Sequence, residues 1–238
     1  MLRCIVFMHL LLIIFLQAQT QIPTNCFEIE SILVDACVPG SPCTNAASPS
    51  CSCEGKNEMV RFRVGPNDLN TSNLTVTWPN NSWLGICQNG TTASHVAAMI
   101  ATVQNCGLFL EAVGGVLPAG REVLFITSTD FCVSAHSFAN LSDTIFVIFQ
   151  CAGNWQGHFA NYGTGLRTLS MSFGAGCTDQ VTYDRSQLLN QSLVPGAQDG
   201  ARVDFAWDGT PTYDNDGCSA PLSPQIVNAG PDVRHVSS

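Results

Sequence analysis

"EMVRFRVG", residues 58 to 65, alternates apolar and polar side chains at a period of two. Val60, Phe62 and Val64 fall on one face, and Met59 with the charged Arg61 and Arg63 falls on the other. Successive side chains of a β-strand point to opposite faces, so the segment predicts a half-buried strand of antiparallel sheet. Its neighbours agree. In "FEIESILVD" (27 to 35), Phe27 and Ile29 and then, after a shift, Ile32 and Val34 take the buried positions. In "NLTVTWP" (73 to 79), Leu74, Val76 and Trp78 keep the same step.

The period then changes. "TTASHVAAMIATVQNCG" (91 to 107) spaces Val96, Met99 or Ile100, and Val103 as one face of a helix, with Thr91 or Thr92 as N-cap and Gly107 just past the end. His95 is expected on the exposed side of that helix. Further β-rich runs follow: "GLFLEAVGG", "REVLFITS" (121 to 128), "DTIFVIFQ" (143 to 150), "LRTLSMSF" (166 to 173), "QVTYD" (180 to 184) and "ARVDFAWD" (201 to 208). Gly114-Gly115, Pro118-Ala119-Gly120, Gly153-Asn154, Gly163, Gly165 and Asp208-Gly209 mark turns between them. "IFVIFQ" is apolar on both faces, as in a central strand covered twice. About nine short strands and one helix at this spacing argue a mainly β fold, a sandwich or a barrel. The stretch 219 to 238 is punctuated by proline and has no core pattern, which predicts a linker.

The first residues set the compartment. "MLRCIVFMHLLLIIFLQAQ" has Arg3, an apolar run from Cys4 to Leu16, and small residues around Ala18. That order is a secretory leader over 1 to 18, cut after Ala18, and the run is short for a membrane span. No later segment reaches the about 18 consecutive apolar residues of a spanning helix. The chain has 12 cysteines. Removing Cys4 with the leader leaves an odd number, so at least one is not paired within the chain, and in an oxidising space most of the others form bridges. The candidates are Cys26, Cys37, Cys43, Cys51, Cys53, Cys87, Cys106, Cys132, Cys151, Cys177 and Cys218. In "CVPGSPCTNAASPSCSC" (37 to 53) the spacing C-x5-C-x7-C-x-C lacks the C-x2-C hooks of tetrahedral zinc and the C-x-x-C of a redox pair, which leaves a stapled loop.

Only 11% of residues are charged and the formal net charge is −9, against roughly 25% charged in ordinary soluble domains. An acidic chain repels a phosphate backbone, so nucleic acid is not an expected partner.

Taken together, "CFEIESILVDAC", "EGKNEMVRFRVG", "NSWLGIC", "CGLFLEAVGGVLPAGREVLFITS", "FANLSDTIFVIFQ" and "VTYDRS" resemble the lamin-tail-like domains found at the front of large secreted bacterial surface proteins. The shared scheme is a first strand ending in Asp35, Asn57-Glu58 opening an alternating strand, the turn Leu117-Pro118-Ala119-Gly120, and a late strand ending in Tyr183-Asp184. The resemblance covers 26 to 218. It implies an immunoglobulin-like β-sandwich with one inserted α-helix, acting as a binding or spacer module and not as an enzyme. In the family a short turn joins Asp35-Ala36-Cys37 to Glu54-Gly55. Here the cysteine-rich loop is inserted instead, with an even set of thiols that can close on itself. "VNAGPD" (227 to 232) resembles the opening strand of the repeated β-sandwich modules that follow such domains, which implies a fragment of a longer protein.

No G-x-S-x-G, H-E-x-x-H or phosphate-binding glycine loop is present, and "GAGCTD" (174 to 179), with no helix after it, reads as a turn. His136 and His158 are the candidates for a hydrolase if Asp130 or Asp143 comes near, although isolated histidines in β-proteins are mostly surface or turn residues. Cys132 is expected in a bridge and not as a thiolate. Asp214 and Asp216 in "DNDGC" begin a calcium-loop pattern that does not continue, and a solvated turn is the simpler account. No other cofactor is implied. Asp35, Glu54 and Glu58 form a second acidic set. Sequons stand at Asn70, Asn73, Asn80, Asn89, Asn140 and Asn190. The expected function is a non-catalytic extracellular interaction or spacer module at a bacterial cell surface, whose partner is another surface protein or a glycan. A carbohydrate-binding module using Trp83, Trp155 or Trp207 is the rival.

Overall fold

The computed structural model describes residues 26–37, 43–45, 47–151, 155–159, 163–189, 192–193, 195, 200–215 and 219–222. Residues 1–25 (the expected leader among them), Asn190, Asp216, Cys218 and the tail from 223 lie outside the described residues.

The alternating run at 59–64 forms a strand, β2 (Met59–Val64), paired antiparallel with β1 (Phe27–Leu33). Their register slips between Ile29 and Ser31. That slip is the shift read in the apolar pattern: an extra residue there turns Ile32 back to the same side as Phe27 and Ile29. The short strands β3 (Leu69–Asn70), β4 (Thr75–Thr77) and β5 (Ile86–Cys87) precede the helix α1 (Gly90–Thr102). After it come β6 (Leu108–Glu111), β7 (Val116–Leu117), β8 (Glu122–Ile126), β9 (Thr144–Gln150), β10 (Leu166–Ser172), β11 (Thr178–Asp184), β12 (Arg202–Phe205) and β13 (Pro211–Asp214).

Eight of these strands form one sheet in the order β13-β12-β1-β2-β8-β9-β5, with β6 also on β9. β9 is parallel to both β6 and β8, and the remaining pairs are antiparallel. A three-stranded sheet, β11-β10-β4, covers one face. Val60, Phe62, Val64, Val123, Phe125 and Ile148 of the large sheet meet Val76, Leu169, Met171, Val181 and Tyr183 of the small one in the main core. The opposite face carries a second core, where Leu33, Met59, Leu124, Ile126, Val147 and Phe149 pack under Val96 and Met99 of α1 and under Phe131, Phe138 and Leu141. Among the described residues the fold is therefore mainly β, with several sheets and one α-helix. β9 feeds both cores, as its apolar run requires.

The helix differs from its expected bounds at both ends. Asn89, not Thr91 or Thr92, is the N-cap: its Oδ1 accepts from the Thr91 and Thr92 amides, and Thr92 Oγ1 accepts from the Asn89 amide in a closed capping box. The C-terminus comes at Thr102, ahead of Gly107, because Val103 turns extended and the Gln104 and Gly107 amides bond to Ala139 and Leu141 carbonyls instead. His95 is half-buried, not exposed. Its Nε2 lies 3.0 Å from the Thr129 carbonyl oxygen and its ring packs near Phe131 and Phe149. No helix among the described residues is long and apolar enough to cross a membrane.

Disulfides join Cys26 to Cys177, Cys43 to Cys53, Cys51 to Cys132 and Cys87 to Cys151. Cys37 is also disulfide-bonded. The cysteine-rich loop closes on itself only in part: Cys43 and Cys53 bridge within it, whereas Cys51 reaches the β8–β9 crossover. There Asn57 Oδ1 accepts from the Cys132 amide and brings the two segments together. Cys106 corrects the list of bridge candidates: it is a free thiol, exposed in the turn between α1 and β6.

Candidate functional site

Under the cysteine-rich loop lies a buried polar centre. Glu58, at the mouth of β2, takes the amide of His158 on Oε2 at 2.6 Å and that of Phe159 on Oε1 at 3.1 Å. It thereby ties the 155–159 segment to the large sheet. Burial raises its pKa well above the usual carboxylate range; the two amides pull it down, and the nearby Asp35 and Glu54 push it up again. The acidic set read in the sequence is thus assembled. Among the described residues, however, no group of three or more His, Cys, Asp or Glu is arranged to hold a metal ion.

His158 is buried, not on the surface. Gln150, at the end of β9, donates to its Nε2 at 2.6 Å and to the Thr127 carbonyl at 3.0 Å, while the Gln150 oxygen accepts from Trp78 Nε1 at 2.8 Å. An Nε2 that accepts a proton donor must itself be bare, so the ring is neutral, and burial holds its pKa at about 4. His136 is buried too, stacked on Phe131 at 5.6 Å, with its pKa lowered by burial to about 4. Neither histidine meets the expected acids: Asp130 pairs with Lys56 at 3.4 Å, and Asp143 accepts from the Thr144 amide.

Replacing Glu58 with Ala leaves two buried amides unpaired and is expected to cost about 2–6 kcal/mol in denaturant unfolding. Gln at this position keeps one acceptor and is expected to lose about half as much. Equal losses for the two variants would contradict the bonding described.

A second constellation lies on the large sheet's other face. Arg61, 1% exposed, pairs with Glu30 at 3.2 Å and lies 4.0 Å from Glu122. Arg63 bridges the same two carboxylates. Arg202 Nη2 holds Asp204 at 2.9 Å and Asp214 at 3.0 Å. Asp214, the calcium candidate, is therefore committed to an arginine. The strand expected to be half-buried is buried at Arg61 as well, because carboxylates from neighbouring strands neutralise that residue, while Arg63 stays exposed.

The open site is a groove of about 190 Å³ where β1, β11 and the β12–β13 turn meet. Glu28, Asp179, Gln180, Trp207, Asp208 and Gly209 line it. Asp179 Oδ2 accepts from the Ile29 amide at 2.7 Å, so β11 is held against β1 beside the Cys26–Cys177 bridge. Glu28 is only 6% exposed, whereas Trp207 is 48% exposed. Of the three tryptophans considered as ligand platforms, Trp207 alone lines this groove. Trp83 packs edge-on to Phe125 in the main core, and the Trp155 carbonyl faces Cys43.

The placing of Glu28 and Asp179 on one groove escapes sequence reading, since the two sit on strands far apart in the chain. The one signal available was the Trp207-Asp208-Gly209 turn. Comparison with family models, with curated proteins and with solved structures finds no match.

Proposed function

We propose that the chain is an exported, non-catalytic interaction or spacer module of lamin-tail-like type, an immunoglobulin-like β-sandwich at a bacterial cell surface. The covalent frame carries this reading: bridges tie residues 64, 81 and 151 positions apart. Cross-links of that reach persist where no thiol pool reduces them. They also suit a part that transmits load between neighbours, because they keep most of the chain from extending.

Pulling on the two ends in a force spectrometer tests it. The Cys26–Cys177 bridge withholds a 151-residue separation from extension. At about 3.5 Å per extended residue, reduction is expected to lengthen the unfolded contour by roughly 500 Å. An unfolded length unaffected by reductant would remove the basis for the spacer role.

A carbohydrate-binding reading is favoured by one observation, the exposed Trp207 on the groove; glycan-array binding that is lost in Trp207→Ala would support it, and no binding to any glycan would end it.

A further inference from the structure

We infer that Arg185 and Arg167, at one end of the small sheet, form a site for a tetrahedral oxyanion, a phosphate or sulfate group. The inference goes beyond the module reading and does not depend on it, so its failure would leave that reading in place.

Arg185 carries the argument. It is only 4% exposed, its Nε has no hydrogen-bond partner, and no carboxylate of the described residues comes within ion-pair distance of it. Among the described residues the other buried cations are paired: Lys56 with Asp130, Arg61 with Glu30, and Arg202 with Asp204 and Asp214. Asp184, the acid next to Arg185 in the chain, is turned to the amide and hydroxyl of Ser186. A guanidinium taken out of water without a counter-charge is unfavourable, and a bound anion relieves it.

The sheet brings a second guanidinium to the same place. β10 and β11 pair Arg167 with Tyr183 and Leu166 with Asp184, and the Arg185 amide donates to the Gly165 carbonyl at 3.1 Å. Arg167 and Arg185 are thus diagonal neighbours, in step with Leu169, Met171, Val181 and Tyr183 of the main core, and long side chains so placed reach one another. Arg167 lies against the turn opposite Arg185: a Cβ built on Gly165 would stand 3.9 Å from its Nη1, and one on Gly163 would stand 3.7 Å from its Nη2. Gly165 is exposed and brings no side chain over the pair. Arg167 Nη1 donates to the Leu166 carbonyl at 3.0 Å, and its other N–H groups have no partner among the described residues. Two guanidiniums call for about two negative charges and for more oxygens than a carboxylate has. A phosphate or sulfate group supplies both, and arginine takes such oxygens in its planar fork. The −9 balance of the chain opposes an anion at long range. Physiological salt, with a screening length of about 8 Å, removes most of that opposition and screens a contact at the buried Arg185 much less.

The test is calorimetric titration of the oxidised full chain, in Tris chloride at physiological ionic strength, with inorganic phosphate, inorganic sulfate, glucose 6-phosphate, N-acetylglucosamine 6-sulfate and acetate. Saturable binding of phosphate or sulfate is expected, weakened about tenfold or more in Arg185→Met by the loss of charge-assisted hydrogen bonds, and severalfold in Arg167→Gln, at a half-buried position. In chloride alone, Arg185→Met is expected to melt no lower than the unaltered chain, since it drops an unpaired charge and keeps the buried stem. A sugar ester that binds more tightly than its free ion assigns the group to a glycan, and equal or weaker binding of the ester assigns it to the free ion; both results support the site. No saturable heat with phosphate or sulfate, acetate binding as tight as that of phosphate, or an affinity unchanged in either variant overturns the inference. A lower melting temperature or a failure to fold for Arg185→Met in chloride alone also overturns it, by showing that the guanidinium is already paired within the chain.

Discussion

Replacing both Cys26 and Cys177 with Ser is expected to lower the unfolding free energy by about 4–5 kcal/mol, from the loop-closure entropy that a bridge of this span removes from the unfolded chain. At roughly 2–4 °C per kcal/mol for a domain of this size, the melting temperature should fall by roughly 10–20 °C. The bridge joins the residue before β1 to the β10–β11 hairpin, so it locks the small sheet onto the large one across the main core. Removing Cys43–Cys53, which spans 10 positions, should cost about 3 kcal/mol or less on the same reasoning. The order of the two effects is the informative result. A short-loop variant that loses more than the long-loop variant would mean that local strain or packing, and not the cross-linked frame, governs stability.

The second large effect is expected at Arg61. Its guanidinium is fully buried and balances Glu30 and Glu122, so Arg61→Met should cost about 3–5 kcal/mol at neutral pH by leaving buried carboxylates short of a counter-charge. Adding Glu30→Gln and Glu122→Gln to the same chain should recover most of that loss. The site also carries a pH signature. Burial first, and then the Glu30 charge, raise the Glu122 pKa from 4.5 to about 7. The folded chain thus holds this proton more tightly than the unfolded chain does. The resulting stability is complete below the unfolded value and is lost as pH rises through about 7. His136 and His158, lowered from 6.5 to about 4, act in the opposite sense: their contribution is complete above 6.5 and is lost as pH falls toward 4. Over pH 5 to 7 the two trends oppose each other. Glu122→Gln should therefore make the slope of unfolding free energy against pH more positive, by up to about 1.4 kcal/mol per pH unit. An unchanged slope in urea titrations at pH 5, 6 and 7 would show that Glu122 does not bind the proton.

Much of this fold was legible because burial is periodic. The alternation at 58–65, the slipped register at Ile29 and Ser31, the doubly apolar β9 and the one helix all follow from which side chains must leave water. Period-2 patterns name a strand's faces but not its neighbours, so the parallel pairing of β9 with β6 and β8 was not visible. Asn89 was missed as the cap because Thr91 and Thr92 can also begin a helix, and the reciprocal bonds between Asn89 and Thr92 settle the choice. Arg61, His136 and His158 read as surface or half-exposed residues, since what makes their burial tolerable comes from distant strands: Glu30 and Glu122 for the arginine, Gln150 for His158. Both histidines are held neutral. The bridge from Cys51 to Cys132 was hidden for the same reason. The groove was the least legible feature, built from β1, β11 and a late turn, and only the indole of Trp207 hinted at it.

The central claim is the oxidised frame, and non-reducing peptide mapping by mass spectrometry of the full chain expressed into an oxidising compartment tests it most directly. The account predicts linked peptides for Cys26–Cys177, Cys43–Cys53, Cys51–Cys132 and Cys87–Cys151, with Cys106 recovered as a free thiol. Recovery of those eight cysteines as reduced thiols, or of Cys51 linked within its own loop, would contradict it.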